Sequence, residues 1–527
     1  MILMYISLLI IFAYLIIKGK KALHMLQQNL YNENNRYIKW IKGNITTAFF
    51  NLDIISMLLL ILAAILKNDI LVIIALIIYL VDSYRIIKIR KTEQVKKPLV
   101  ITARVKRLYV TTMIIYLIVI VPMIVFFNES LIDKYYFWIG LMVFMNWFII
   151  LAANVINKPI EKMVFNHYKR LAKNKLNEMT NLKRVAITGS YGKTSTKNAL
   201  NDILNVKYNS FATEKSFNTM NGLMISINNK LDKFTDIFVA EMGAFRRGEI
   251  KEKCDFICPQ YGILTTIGTA HLESFGSREN IQKAKFELID SLPKDGIAVL
   301  NMDDEYQTSY DIKSKCKKVW VSIGNKKADV YATDIKLTSK GTSFVCHFGD
   351  KKVTLETKLL GSANVYNILE AVAMAYNLGL SLEQISIGVK RIETIEHRLE
   401  LKKYGEINII DDAYNSNPVG SSMAVDVLGM FDGKKIIVTP GMIELGDKQY
   451  DYNMEFGRHI AKVCDEVILI GKEQTKPILD GLIKEKYNEE HIHVLNDVKK
   501  AFPLMRKLSD KKTYVLLEND LPDIFNE

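Results

Sequence analysis

The chain has 527 residues, enough for three units of ordinary size, and 49% of them are hydrophobic while 24% are charged; that mixture excludes one uniform soluble globule and predicts a membrane part joined to a soluble part. The formal net charge is +13, but basic residues gather beside apolar segments, which points to a membrane surface and away from nucleic acid as the partner. The five cysteines, Cys254, Cys258, Cys316, Cys346 and Cys464, are odd in number and scattered, so a disulfide framework is excluded, and Cys254 and Cys258 lack a second Cys/His pair at zinc spacing.

Met1–Ile17 is almost wholly apolar and is followed by Lys18, Lys20 and Lys21. A signal peptide carries its charge first and ends in a small-residue cleavage site, so this segment reads as a span. Further apolar spans are expected at about Phe49–Leu66, Ile70–Val81, Leu108–Phe127 and Tyr135–Ile156. The second and third of the five are short against the roughly 20 residues that cross a bilayer; tilt, extension into polar flanks and a re-entrant hairpin around Lys67-Asn68-Asp69 all remain open. Residues 18–43 carry six Lys/Arg and residues 84–107 carry nine, against one Lys in each of Lys67–Asp69 and Asn128–Lys134. The positive-inside rule then gives a multi-pass protein of the bacterial cytoplasmic membrane, with the N-terminus outside and everything after Asn157 in the cytoplasm. Asp53, near the start of the second span, reads as interfacial. After a membrane domain over 1–156, residues 157–183 form a linker. Its Ile160, Met163, Val164 and Leu171 fall at helical spacing among lysines, which predicts an amphipathic helix on the inner surface with membrane lipid as its partner.

From Arg184 the pattern changes to strands alternating with helices, as in a mostly parallel, doubly wound sheet. The run Val185-Ala-Ile-Thr-Gly189-Ser-Tyr-Gly192-Lys193-Thr194-Ser195-Thr196 enters a glycine turn and then a helical start. Glycines let backbone N–H groups turn toward phosphate oxygens at a helix N-terminus, a lysine supplies a mobile charge, and a threonine hydroxyl suits Mg²⁺. The spacing G-x-x-G-K-T is two residues shorter than the usual phosphate loop. Alone it also fits a strand–turn–helix with a chance Lys-Thr. Next, Asp236-Ile-Phe-Val-Ala-Glu241-Met-Gly243 is an apolar strand ending in a carboxylate, where a nucleotide enzyme holds Mg²⁺. Another strand leads to His271, and a helix after it carries Lys285; singly, a histidine reads as structural and a helical lysine as solvated.

Together, Thr188-Gly-Ser-Tyr-Gly-Lys-Thr-Ser195, Glu241-Met-Gly243, Thr266-Ile-Gly-Thr-Ala-His271-Leu-Glu-Ser-Phe-Gly-Ser277, Ala284-Lys285, Asn301-Met-Asp-Asp304, Asn364-Val-Tyr-Asn367, His397-Arg398-Leu-Glu400 and Asp411-Asp412-Ala-Tyr414-Asn415-Ser-Asn417-Pro418 resemble the motifs of the Mur ligases in order and spacing. These are ATP-dependent amide-forming enzymes of peptidoglycan synthesis. The resemblance covers about residues 184–518 and is greatest to the D-alanyl-D-alanine-adding type. It implies a central P-loop ATPase domain over 184–394 and a Rossmann-like C-terminal ligase domain over 395–527. It further implies that Gly189, Ser190, Gly192, Lys193, Thr194 and Ser195 cradle ATP, with Lys193 on the β- and γ-phosphates. By the same resemblance Thr194 and Glu241 hold one Mg²⁺, while His271 and a carbamylated Lys285 hold a second. Asn301 and Asn364 match positions that meet adenine, Arg398 the γ-phosphate arginine, and Asp412 a ribose contact. Asn218, Thr219, Tyr414, Asn415, Asn417 and Pro418 match substrate-facing loops.

The implied reaction makes an acyl phosphate from a carboxylate and ATP, which an amine then attacks. Crowded negative oxygens explain the lysine, the arginine and the two Mg²⁺. Four departures stand out within the matched motifs: Ala363 where a histidine is usual, Thr219 in place of the second asparagine of the substrate loop, Lys215 where a glycine is usual, and Tyr514-Val-Leu-Leu-Glu-Asn-Asp520 in place of an expected Lys-Gly-Ser-Arg. The largest lies at the front, where the spans occupy the place of a soluble UDP-binding domain. That predicts a lipid-linked or polymeric acceptor, with an amino acid or dipeptide as second substrate and a place for other envelope-synthesis enzymes as partners. A ligase of poly-γ-glutamate type shares this chemistry. A nucleotide-binding membrane scaffold would not need Lys285, and a transport ATPase predicts intramembrane charges, which read as nearly absent.

Overall fold

The computed structural model describes residues 2–29, 31, 36–49, 52–92, 98–125, 132–405, 407–414, 416–443, 445–510 and 512–520. The chain divides into two compact units, Met1–His167 and Tyr168–Glu527.

All five expected apolar segments are helical in the first unit. Ile2–Gln28, Asp69–Lys88 and Ala103–Val125 are long and apolar enough to cross a membrane; a fourth span results if the bent pair Lys134–Phe144 and Asn146–Glu178 counts as one. Leu52–Leu66 is an apolar helix of 15 residues. Two expectations change. The third segment is not short, because its helix runs on through its polar flank to Thr92. The fifth is not one straight span: it bends by 71°, and the break falls before the buried Asn146, whose side chain accepts from the Tyr116 hydroxyl. Nor is the linker a separate element, since Asn146–Glu178 is one helix of 33 residues. Its Ile160, Met163 and Leu171 are exposed, as an amphipathic surface helix requires.

The unit is also more polar inside than its sequence suggests. Asp53 is buried within the unit and pairs with the equally buried Lys18; Tyr14 donates to Asp82 at 2.8 Å. Lys18 and Tyr14 lie one turn apart on the same helix, so their two carboxylate partners, on different helices, converge on one face.

In the second unit nine strands form one sheet: β1 (Lys183–Thr188), β2 (Ser210–Ala212), β3 (Ile237–Glu241), β4 (Tyr261–Leu264), β5 (Ile297–Asn301), β6 (Lys317–Ile323), β7 (Val330–Thr338), β8 (Gly341–Phe348) and β9 (Lys351–Thr357). Their order is β2-β3-β1-β4-β5-β6-β7-β8-β9. All neighbours are parallel as far as β7, after which β7-β8-β9 is an antiparallel meander. β1 to β5 are nearly continuous apolar runs because both faces are covered, as parallel strands require. From β1 the chain goes to β2 and β3 on one side and to β4 and β5 on the other. The carboxyl ends of β1, β3 and β4 therefore open at a topological switch point, where such sheets bind ligands. Helices Lys193–Leu204, Ser362–Asn377 and Leu382–Arg391 bury their apolar faces on this sheet through Leu200, Ile203, Ile368, Val372, Ile385 and Val389.

A second sheet follows: β10 (Glu400–Tyr404), β11 (Ile407–Asp412), β12 (Lys434–Thr439), β13 (Glu466–Ile470), β14 (Ile492–Leu495) and β15 (Thr513–Glu518), in the order β10-β11-β15-β12-β13-β14. All pairs are parallel except the β10–β11 hairpin. The expected boundary near 394 falls between the helix ending at Arg391 and the strand beginning at Glu400.

Candidate active site

The phosphate-loop sequence folds as its residue types demand. β1 ends at Thr188, Gly189 and Gly192 take positive φ, and Gly192 (φ 80°) caps the helix Lys193–Leu204. A side chain at either glycine would collide, with the Thr265 hydroxyl at Gly189 and with Asn367 Oδ1 at Gly192. The segment leaving β4 clamps the loop. Ser190 N donates to Thr266 O at 2.6 Å, Thr265 Oγ1 to Tyr191 O at 2.5 Å, and the Tyr191 hydroxyl meets Thr269 Oγ1 at 3.0 Å. That bracing explains how a loop two residues shorter than usual holds its shape.

Lys193 curls back over this loop, donating to Gly189 O at 2.7 Å and Ser190 O at 2.9 Å. Burial lowers its pKa to about 8, with Glu241 opposing the fall and Arg398 adding to it. Thr194 is buried in the first helical turn beside Ser195.

Glu241 closes β3 and is buried. Asn218 Nδ2 donates to its Oε1 at 3.1 Å, and its Oε2 lies 3.5 Å from Lys197 Nζ but accepts no hydrogen bond among the described residues. Asn218 fits because Gly243 leaves room: a Cβ there would come within 2.8 Å of the Asn218 amide. Thr219 is a helix cap, accepting from Gly222 N at 3.2 Å. Lys215, in the place of the usual glycine, keeps the left-handed backbone at φ 47°, and its carbonyl accepts from Lys197 Nζ.

His271 sits past β4 at φ 58° with its ring 4.4 Å from Phe245. Lys285, inside the helix Arg278–Asp290, is buried with its amine 5.8 Å from the Phe275 ring. Burial lowers its pKa well below the ordinary lysine value; the Lys193 and Lys253 charges push the same way, against Glu249 and Glu287. The lysine read singly as solvated is therefore an interior one, whose charged form burial disfavours.

Asn301 and Asn364 occupy strand and helix ends at the rim of the sheet, engaged in local bonds. Asn301 Oδ1 accepts from Asp303 N at 2.9 Å. Asn364 donates to Leu360 O at 2.8 Å and accepts from Asn367 Nδ2 at 3.1 Å. Beneath the phosphate-loop helix, Thr196 Oγ1 meets both Asn367 Oδ1 (3.2 Å) and the buried Glu370 (3.1 Å).

The second sheet contributes Arg398, flanked by two non-glycine residues in the left-handed region, His397 (φ 61°) and Leu399 (φ 48°). Such conformations persist where surrounding contacts over-determine them. Here His397 Nδ1 meets Asp411 Oδ2 at 2.8 Å and Leu399 N donates to Asp412 Oδ1 at 3.1 Å. The Arg398 guanidinium lies 4.6 Å from the Tyr414 ring, whose hydroxyl donates to Ser216 Oγ in the loop before Asn218. Asn417 caps the helix Pro418–Gly429 and Pro418 fills its first position, so both serve local structure. Asn415 lies outside the described residues.

Against known proteins, residues 187–375 match the Mur ligase middle domain and residues 397–518 the Mur ligase, glutamate ligase domain. UDP-N-acetylmuramoyl-tripeptide–D-alanyl-D-alanine ligase of Buchnera aphidicola subsp. Acyrthosiphon pisum is 31% identical over 64% of this chain and 77% of its own length. The chain belongs to the Mur ligase family. The Escherichia coli enzyme of the same name is 32% identical over 55% of this chain; this Mur ligase spans 64% of it, just under two thirds. The crystal structure of MurF from Thermotoga maritima in complex with ADP aligns with a TM-score of 0.61 at 25% identity, covering 68% of this chain and 81% of that one. ATP dependence comes with this family. Both domain matches of this Mur ligase begin after residue 186.

Three residues of the neighbourhood escape a reading from sequence: Lys197 beside Glu241, Glu370 beneath the loop helix, and Glu518 beside Asp412. A lone acid in the apolar run Ile368-Leu-Glu-Ala-Val372 is a visible signal for Glu370; Lys197 and Glu518 carry none.

Proposed function

We propose that this chain is an ATP-dependent ligase joining a carboxylate of a peptidoglycan precursor to D-alanyl-D-alanine, or to another amino acid or dipeptide. In this reading its first unit lies in the bacterial cytoplasmic membrane and its second works at the cytoplasmic face. The observation that carries the reading is that the second sheet reaches the first at this site: Arg398 lies over the Tyr414 ring, whose hydroxyl donates to Ser216 Oγ in the loop that leads to Asn218 and Glu241. A residue supplied by a second sheet suits a site completed when substrates are bound.

An acceptor carboxylate oxygen attacks the γ-phosphorus of ATP and the bond to ADP breaks, giving an acyl phosphate. The amine nitrogen then bonds to the carbonyl carbon, phosphate leaves with its oxygen, and the surplus amine proton passes to phosphate or solvent. Gly189, Ser190, Gly192 and Ser195 cradle the nucleotide phosphates; Lys193 and Arg398 face the transferring group and offset its charge. The buried Glu241 Oε2, which accepts no hydrogen bond among the described residues and has only the Lys197 charge at 3.5 Å, fits a cation site, with the Thr194 hydroxyl as the second oxygen ligand it would use. Lys285, whose charged form burial disfavours, fits a lysine that would add to CO₂ with formation of an N–C bond and loss of one proton, and the resulting carbamate and His271 would hold a second cation. Cations held there would supply Lewis-acid neutralisation of phosphoryl oxygens. Asn301, Asn364 and Asp412 would meet the nucleoside, and Asn218, Thr219 and Tyr414 would face the substrates. The three long apolar helices support a lipid-linked acceptor.

The test uses the full chain in nanodiscs with ATP and either D-alanyl-D-alanine or single amino acids, offered with UDP-linked and undecaprenyl-linked tripeptide acceptors. Phosphate release matched by amide product, and requiring both substrates, is expected. ATP hydrolysis without product overturns the ligase, and turnover of the UDP-linked form alone overturns the lipid-linked acceptor.

A further inference from the structure

Glu518 ends β15 directly beside Asp412, the last residue of the parallel neighbour β11. It lies where the expected Lys-Gly-Ser-Arg is absent, and it is 1% exposed. One of its oxygens is accounted for: Ser416 Oγ donates to Oε1 at 2.7 Å, and Ser416 Oγ in turn meets Ser421 Oγ at 2.5 Å. The other, Oε2, is buried and has no donor among the described residues. Its neighbour across the strand pair is a second carboxyl, Asp412, whose Oδ1 accepts from Leu399 N at 3.1 Å. Two ionised carboxylates facing each other in the interior repel and leave an orphan oxygen; a single proton between them removes both penalties.

We infer that Glu518 and Asp412 share one proton, and that the protonated pair is a positioning device fixing the Ala413–Pro418 segment to the Arg398 segment. The links run in a line. Ser416 ties the segment to Glu518, the shared proton ties Glu518 to Asp412, and Asp412 holds Leu399 next to Arg398. Tyr414 N donating to His397 O at 3.3 Å closes the loop from the other side. The inference rests on the ligase reading for the meaning of Arg398, but the shared proton does not.

The electrostatics agree with the geometry. Burial raises the pKa of both groups, Asp412 to about 6 and Glu518 well above the ordinary carboxyl value. The titratable groups acting on the pair are Arg398, which opposes the rise on Asp412, and Asp411, which adds to it. Asp411 is itself held ionised by Lys402 and His397. The helix side offers only the Ser416 and Ser421 hydroxyls. The sign follows: with folded values above the unfolded ones, the pair keeps its proton near neutrality and loses it as pH rises, and the tie loosens with it.

Glu518→Gln keeps an acceptor for Ser416 and supplies a fixed N–H donor to Asp412; Glu518→Ala and Ser416→Ala cut the line at two places. Two readouts on the full chain in nanodiscs decide the matter. In the wild type minus Glu518→Gln infrared difference spectrum at pH 7, in which Glu370 and the other carboxyls cancel, the C=O stretch of one protonated carboxylic acid is expected; no such difference band overturns the shared proton, whatever the enzyme's reaction. In the ligation assay, Glu518→Gln is expected within about 2-fold of wild type at pH 7 and to outlast it as pH rises. Glu518→Ala and Ser416→Ala are expected to raise KM for the substrates about tenfold, with Ser416→Ala retaining the wild-type unfolding midpoint. Glu518→Gln as impaired as Glu518→Ala overturns the positioning role. A wild type with the infrared band but no acceptor-dependent turnover would fault the ligase reading and leave the shared proton standing.

Discussion

Glu370 offers the sharpest test of how the phosphate-loop helix is supported. Its carboxyl is buried in the middle of the helix Ser362–Asn377, accepts one hydrogen bond, from Thr196 Oγ1 at 3.1 Å, and leaves Oε1 without a partner. Burial raises its pKa well above the ordinary value; the Asp304 charge adds to the rise and the Thr196 bond only opposes it. A raised folded pKa means that the folded state binds the proton more tightly than the unfolded chain. Stability from this group is therefore complete below the unfolded value, about 4.3 for a glutamate, and drains away as pH rises toward the folded value. Each pH unit over which the folded state holds a proton that the unfolded chain releases costs about 1.4 kcal/mol. Glu370→Gln has nothing to titrate and keeps a group that accepts from Thr196. It is expected to match wild type near pH 4.5 and to exceed it progressively toward pH 7.5, gaining about 1.4 kcal/mol for each pH unit over which wild type holds the proton, with nucleotide affinity unchanged. Thermal unfolding of the full chain in nanodiscs, followed across that range, reads the difference. A pH-independent difference, or a Gln variant less stable throughout, would mean that Glu370 is ionised and anchored, and would refute the argument.

Other outcomes follow from the same structure. Lys197→Met should cost about 3–5 kcal/mol, because it strips the countercharge from the buried Glu241 and a donor from Lys215 O; calorimetry without nucleotide measures it, and a neutral effect would place Glu241 in contact with solvent. Gly192→Ala meets Asn367 Oδ1 and demands a left-handed alanine, a strain of about 1–2 kcal/mol before the clash; nucleotide titration should show affinity down at least about tenfold. If Lys285 carries a carbamate, activity at mildly acid pH should fall when CO₂ is stripped and return with bicarbonate, and Lys285→Ala should be inactive with or without it. In the first unit, Asp53→Leu leaves Lys18 buried without its partner and should lower stability by about 3–5 kcal/mol, while the double variant Lys18→Met/Asp53→Leu should recover most of it.

Much of the ligase unit was legible because its signals are local. The apolar runs that became β1, β3 and β4 precede the phosphate loop, Glu241 and His271 at fixed spacing, and a strand followed by a glycine turn and a helix has few ways to fold. What stayed hidden depends on contacts far apart in sequence. Lys18 meets Asp53 from another helix, so a segment-by-segment reading left this buried ion pair unseen and took the spans as nearly free of charge. Lys285, singled out from sequence only through the family motif, shows its physical basis in its burial beside Phe275. The bend before Asn146 sits inside a run that hydropathy alone reads as continuous.

Backbone conformation was the least legible layer, and it bears on the chemistry. Lys215, His397 and Leu399 hold left-handed φ without being glycine, so no residue type announces them. Each is held by bonds from outside its own turn: Lys197 reaches the Lys215 carbonyl, Asp411 holds the His397 ring, and Asp412 takes the Leu399 amide. A left-handed L-residue costs about 1–2 kcal/mol, comparable to one or two good hydrogen bonds, so these turns depend on their ties. Arg398, between two of them, is aimed by carboxylates that do not touch it through its own side chain. The direction in which the second sheet presents its cation to the phosphate loop is thus set at the ends of β11 and β15, where Asp411, Asp412 and Glu518 lie side by side.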